Sequence, residues 1–221
     1  MAAPPRRRGD PGMSAPVLSN YDLDDQCYRL RLTASVAGVA LDLVNLDAFP
    51  GRDHLSRGYL AKNPLGRLPT LEHDGLVLCQ PAAMQLYLAG LPGARALIPA
   101  DPAEQARMHD WLIFADRDLA VASAARACAL MDAPGDEVAL RARSRALLRL
   151  LEDHMTRQGT LGQGYVAGAT LSLADLALFV PFALSRDFGI DHDDFPALRL
   201  WARRVRRCEG FITMPGIPDY H

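Results

Sequence analysis

Two clusters of residues carry the chemistry this sequence could support. The first is the run Asn63-Pro64-Leu65-Gly66-Arg67-Leu68-Pro69-Thr70-Leu71, which leads through His73-Asp74-Gly75 and Leu76-Val77-Leu78 to a helix-forming segment, Gln80 to Leu88. Pro69 has no backbone N–H and pushes Leu68 into an extended conformation. The main chain of Leu68 is thereby left free to pair with something outside the fold. The second cluster is Asp24, Asp25 and Cys27. Two acids ahead of an apolar-periodic stretch are N-cap chemistry, and a thiolate just inside a helix start gains from the helix dipole. A small buried residue on an apolar face is the plainer role for Cys27, as helix capping is for the two acids.

These clusters must be held by elements, and the chain spells them out in order. Pro16 to Ser19 reads as a first short strand, and Gln26 to Ala37 as a helix with Cys27, Leu30, Ala34 and Ala37 on one side and Gly38 as its stop. Val39 to Leu46 is the next extended run, so strand, helix and strand imply a right-handed parallel crossover. Asp47 to Asp53 is loop, His54 to Lys62 a short irregular helix, and the two short strands with their turn and helix complete a β-α-β-α-β-β-α order. Proline and glycine crowd Gly90 to Pro102 and mark a linker with a helix start at its end. Beyond it the strand signals vanish. Ala103 to Leu130 and Glu137 to Met155 read as helices broken at Pro134-Gly135, Ser172 to Asp175 is a capping-box-like start ahead of Leu176 to Leu184, and Ala197 to Cys208 is the last helix. That helix turns Leu198, Trp201 and Val205 inward and shows Arg203, Arg204, Arg206 and Arg207 to solvent. The division expected is a disordered tail over 1–14, an α/β unit over 15–90, a linker over 91–101 and an all-helical unit over 102–221. No internal repeat is visible.

Composition narrows the class. Of 221 residues, 49% are hydrophobic and 23% charged, the balance of an ordinary globular chain. A net charge of -2 and a pI near 6.3 argue against a nucleic-acid-binding surface. No run approaches the roughly 18 to 20 apolar residues that span a bilayer, so no membrane partner is expected. Met1 to Met13 carries arginines without an apolar core after them, which is not a secretory signal, and Met13 is an alternative start. The four cysteines, Cys27, Cys79, Cys128 and Cys208, are far apart with no C-x-x-C, so neither a disulfide scaffold nor a metal site is expected and a reducing cytoplasm fits.

The segment Asn63 to Leu88, with Gln80-Pro81-Ala82-Ala83-Met84-Gln85-Leu86-Tyr87-Leu88 closing it, resembles the second half of the thioredoxin-like domain of glutathione transferases. Gly168-Ala169-Thr170-Leu171-Ser172-Leu173-Ala174-Asp175, the Phe195-Pro196-Ala197-Leu198 to Trp201 pattern and Met214-Pro215-Gly216 are similar to motifs of bacterial members. The resemblance covers about 200 residues and implies a thioredoxin-like domain joined to an all-helical one, a cytoplasmic homodimer and glutathione as cosubstrate, in detoxification chemistry. It implies that Leu68, before a cis Pro69, pairs with the cysteinyl part of glutathione, that Gln80 meets the γ-glutamyl group and that His54 lies near the glycyl carboxylate. Pro81 departs from the pattern, because the serine usual there gives a hydroxyl and an N–H to the γ-glutamyl carboxylate. Thiol activation in the family uses a tyrosine ending the first strand or a serine or cysteine starting the first helix. Here those positions fall on Ser19 and Asp24, and an ionised Asp24 would oppose a thiolate. Tyr21, Asp24 and Cys27 are the catalytic candidates, and Trp111, Phe114 and Arg117 the expected wall for a small electrophile. Three readings stay open: a transferase, a binding module that has lost the site, and a glutathione-dependent isomerase or thiol-disulfide exchanger.

Overall fold

The computed structural model describes residues 14–220, so the expectations for Met1 to Met13 lie outside the described residues. Four strands form one sheet in the order β2-β1-β3-β4. β1 (Val17–Asn20) runs parallel to β2 (Asp42–Asn45) and antiparallel to β3 (Thr70–His73), which pairs with β4 (Leu76–Leu78). β2 is shorter than the apolar run suggests. Val39 N–H closes the end of the preceding helix on Ala34 C=O at 2.8 Å, which removes it from the ladder. Leu43 and Val44 remain exposed on this edge strand.

α1 (Asp25–Ala37) lies against the sheet and the helical half at once. Leu30 and Ala34 join Leu18, Leu71, Met84 and Leu88 beneath the sheet, while Tyr28, Leu32 and Val36 join the larger core of the helices. The helix begins where Asp24, in extended conformation, accepts Cys27 N–H, and stops at Gly38, whose φ of 74° is left-handed. The irregular segment is a 3₁₀ turn at Asp53–Leu55 followed by a single turn, α2 (Arg57–Leu60). α3 (Pro81–Ala89) completes this half.

Five helices follow: α4 (Pro102–Arg117), α5 (Ala120–Met131), α6 (Glu137–Thr160), α7 (Leu173–Ala183) and α8 (Pro196–Arg206). The expected single helix over Ala103 to Leu130 is two. Asp118 and Leu119 N–H groups both bond the Phe114 carbonyl, at 3.0 and 2.9 Å, and the buried Leu119 anchors the turn between them. The arginine face of α8 is also more engaged than expected. Arg203 Nε donates to the Tyr220 carbonyl at 2.9 Å and Arg206 pairs with Asp219, so the chain's end lies over it and only Arg204 and Arg207 are exposed.

Every residue of α7 is buried. Beyond it His192 sits fully inside, bonded to Ser185 Oγ at 3.0 Å and Tyr220 hydroxyl at 3.1 Å, and stacked on Phe182 at 4.4 Å. Burial, with Arg186 nearby, pushes its imidazole down to about 4. An unfolded histidine titrates near 6.5, so the unfolded chain takes up the extra proton as pH falls below that value. The stability contributed by neutral His192 is complete above pH 6.5 and is lost between 6.5 and 4. Between pH 7 and 5 the loss is about 2 kcal/mol by the linkage relation. Urea denaturation at the two pH values should show this difference, and His192→Gln should reduce it.

Candidate active site between the two halves of the chain

The residues that could do chemistry are gathered where the β1–α1 loop, the loop before β3, and α5 meet. Asp24 N–H bonds the Tyr21 carbonyl at 3.1 Å, which turns the chain into α1 and leaves the Asp24 side chain capping the helix, Oδ1 to Cys27 N–H at 2.7 Å. Opposite, Asn63 Nδ2 and Tyr59 hydroxyl hold the Arg67 carbonyl at 2.8 and 2.6 Å, and both also reach Thr70 Oγ1. This polar cluster fixes the turn into Leu68, whose bond to Pro69 is cis. Within the described residues no hydrogen bond engages the Leu68 main chain. Its strand-like pairing capacity therefore remains open, as its sequence position predicts.

These elements enclose a cavity of about 730 Å³, within the ordinary range for small-molecule sites. Tyr21, Asp24, Asp25 and Gln26 form one wall and Gly66 to Leu68 another; Phe49, Arg52, His54 and Leu55 form a third, and Ser123, Ala124, Arg126 and Ala127 with Met131 to Pro134 the fourth. The chemistry of the walls is divided. Carboxylates sit at the start of α1, cations at Arg52 and Arg67, and small apolar groups along α5.

The electrostatics follow from burial. Asp24 opens to the cavity only in part, and its carboxyl is pushed up to about 7, chiefly by loss of hydration and then by the neighbouring Asp25, against the pull of Cys27 N–H and Arg126. Asp25 keeps its carboxylate oxygens occupied by Gln26 and by the Ser123 hydroxyl of α5. Arg126 is buried, bonded to Asp187 at 2.6 Å and to the Leu23 carbonyl at 2.5 Å, so α5 grips the loop just ahead of Asp24. His54 titrates below the usual value because it is partly buried and beside Arg52, which leaves Arg52 as the cation of that wall.

The residues singled out from sequence divide accordingly. Tyr21, Asp24, His54 and Leu68 line the cavity; Tyr21 hydroxyl donates to the Phe49 carbonyl at 3.3 Å. Cys27 does not line it. It is completely buried, accepts from Tyr21 N–H and points its thiol at the Ser19 carbonyl, and burial pushes that thiol well up, leaving no accessible thiolate for disulfide exchange. Trp111, Phe114 and Arg117 do not form the wall either, because α5 rather than α4 faces the cavity. Trp111 packs on Phe114 and His154, and the exposed Arg117 pairs with Asp118. Gln80 is exposed and lies with Pro69 and Pro81 outside the lining.

The start of α3 is a finding of its own. Pro81 occupies its first position and offers no N–H, while the next donor, Ala82 N–H, bonds Asp116 Oδ2 of α4 at 3.2 Å. Asp116 Oδ1 in turn binds the buried Arg29 at 2.5 Å. A carboxylate of the chain itself thus sits where an anionic ligand group would dock. Nothing in the spacing of Asp116 signals this contact. Arg126 had a signal, being a lone charge in the run Val121 to Cys128 of otherwise small residues.

A four-stranded mixed sheet with an open main chain before a cis proline, joined to a helical half across a cleft, defines a thioredoxin-like domain coupled to a helical one. Comparison with known proteins agrees. The family models described as Glutathione S-transferase, N-terminal domain and Glutathione S-transferase, C-terminal domain match residues 17–90 and 120–209. Glutathione S-transferase A of Pleuronectes platessa is 29% identical over 189 residues, spanning 81% of this chain and 82% of that protein. A maleylacetoacetate isomerase of Rattus norvegicus is 26% identical over 203 residues, spanning 89% of this chain and 90% of its own length. A crystal structure of a possible glutathione S-transferase from Rhodopseudomonas palustris superposes with a TM-score of 0.81 at 27% identity, covering 93% of this chain and 92% of that one. The chain belongs to the glutathione transferase family.

Proposed function

We propose that this protein joins the thiol of glutathione to a small electrophile held between its two halves. The observation that carries this reading is the unpaired Leu68 main chain facing, across one cavity, the N-terminus of α1. A cysteinyl residue paired strand-like with Leu68 would carry its sulfur toward Asp24. Its glycyl end would lie on the side of Arg52 and His54, and the electrophile against Ala124, Ala127 and Met131 of α5. Family membership supports a cytoplasmic homodimer with a role in detoxification. A glutathione-dependent isomerase is the second reading, favoured by the rat relative, and it uses the same thiolate without net consumption of the cosubstrate.

Calorimetry with glutathione, followed by turnover with a panel of electrophiles and cis-alkenoic acids, tests both. Binding with conjugation supports the transferase, and binding with isomerisation alone supports the second reading. Absence of binding would leave only a binding module that has lost the site. Within this reading the glycyl carboxylate is met by a cation, so Arg52→Ala should weaken glutathione binding about fivefold, the scale of one solvent-exposed charge contact. His54→Ala should cost less, and the Arg52 effect should shrink with added salt.

A further inference from the structure

We propose that the Asp24 carboxylate takes the proton from the glutathione thiol, in place of the hydroxyl that the family uses for this purpose. The inference rests on the transferase reading above and adds the residue that activates the thiol. The other groups near the start of α1 are committed elsewhere. Ser19 is buried in the sheet, and the Cys27 thiol is shut inside the core against the Ser19 carbonyl. Tyr21 commits its hydroxyl to the Phe49 carbonyl, and Asp25 is occupied by Gln26 and Ser123.

Asp24 is arranged differently. Cys27 N–H fixes Oδ1, and the carboxyl, which also meets the Cys27 thiol, lines the cavity that Leu68 borders. The helix cap thus holds the carboxyl at a defined place on the cavity wall. The charged and titratable groups around it set its basicity. On its own helix Asp25 raises its proton affinity, and from α5 Arg126 lowers it. Asp132 at the end of α5 and, on the far walls, Arg52, His54 and Arg67 also face the cavity. The outcome is a carboxyl near 7, within reach of a thiol near 8.5, which is the match a general base needs. A carboxylate of ordinary acidity there would be a poor proton acceptor and a repulsive neighbour for sulfur. Asp24 avoids both, since it becomes neutral as the thiolate forms.

The step balances. The S–H bond breaks and its proton goes to the Asp24 carboxylate, while the sulfur electron pair forms the S–C bond. The electron pair displaced from the electrophile either departs with a halide leaving group, in which case Asp24 releases its proton to solvent, or rests on the adjacent carbon, which takes the proton from Asp24.

The test uses the full chain with Asp24→Asn and Asp24→Ser, both good helix N-caps, so that α1 keeps its cap. S-methylglutathione, which has no thiol proton, measures binding alone, and an activated chloronitrobenzene measures conjugation from pH 5.5 to 9. S-methylglutathione should bind all three proteins within about twofold. Wild type should show kcat/KM rising to a plateau with a midpoint near 7. Asp24→Asn should lose on the order of a hundredfold at pH 7 and climb toward the thiol's own ionisation without that midpoint. Asp24→Ser should recover part of the rate by donating its hydroxyl to the thiolate. An Asp24→Asn enzyme within threefold of wild type, with the midpoint unmoved, would overturn the proposal while leaving the transferase reading intact. Failure of S-methylglutathione to bind wild type would overturn both.

Discussion

Asp175→Ala should lower the unfolding free energy by on the order of 4 kcal/mol, the largest effect expected of any single change away from the cavity. Asp175 is fully buried and its two oxygens accept four hydrogen bonds, from Val166 N–H, Ser172 N–H, Ser172 hydroxyl and Trp201 Nε1, all between 2.8 and 2.9 Å. One side chain thereby caps α7, fixes the loop before it and ties both to α8. Alanine leaves four buried donors without an acceptor, each worth about 1–3 kcal/mol before relaxation and water entry reduce the sum. Asp175→Asn keeps the shape but aims an N–H₂ at a donor, so it should lose about half as much. Guanidinium denaturation followed by tryptophan fluorescence reads the difference directly through Trp201. A loss under about 1 kcal/mol for alanine would mean that water replaces the carboxylate and that the network does not hold the helices together.

Pro81→Ser should raise the affinity for glutathione about tenfold. Serine restores an N–H and a hydroxyl at the first position of α3, and a hydrogen bond to a charged group is worth roughly 1.5–3 kcal/mol. The full gain from two such bonds is not expected, because Asp116 already occupies the next donor, Ala82 N–H, and its charge opposes a second carboxylate there. One net hydrogen bond corresponds to about tenfold. The helix itself should tolerate the change, since proline and serine are both acceptable in a first turn. Titration of both proteins with glutathione at the same pH and salt decides it. Equal affinities would show that the γ-glutamyl end does not reach α3 in this protein.

The pattern of what could be read in advance has a physical basis. The strand and helix order, the open Leu68 and the capping role of Asp24 rest on local rules: proline geometry, glycine stops and apolar spacing. Those act through neighbouring residues and are visible in a string. The break at Asp118-Leu119 is not, because no glycine or proline marks it and the turn is held by the burial of Leu119. The identity of the cavity wall depends on which helix the turn swings toward the cleft, so α5 displaces the aromatic pair of α4. The state of Asp24 was equally hidden. Its residue type suggests a charge, and only enclosure beside Asp25 shifts it toward neutrality. Asp116 reaching α3 is a contact across 34 positions that no spacing rule anticipates.

α1 contributes to two cores at once, with Leu30 and Ala34 turned to the sheet and Tyr28, Leu32 and Val36 to the helices. Tyr28 hydroxyl and Ser35 Oγ also donate to the Ile212 and Gly210 carbonyls near the chain's end, at 2.7 and 2.6 Å. Cutting the chain at the Gly90–Pro102 linker would therefore not yield a free-standing amino-terminal half. It would bare one whole side of α1 to water, leaving an aggregation-prone fragment, and the intact protein should melt in a single cooperative transition.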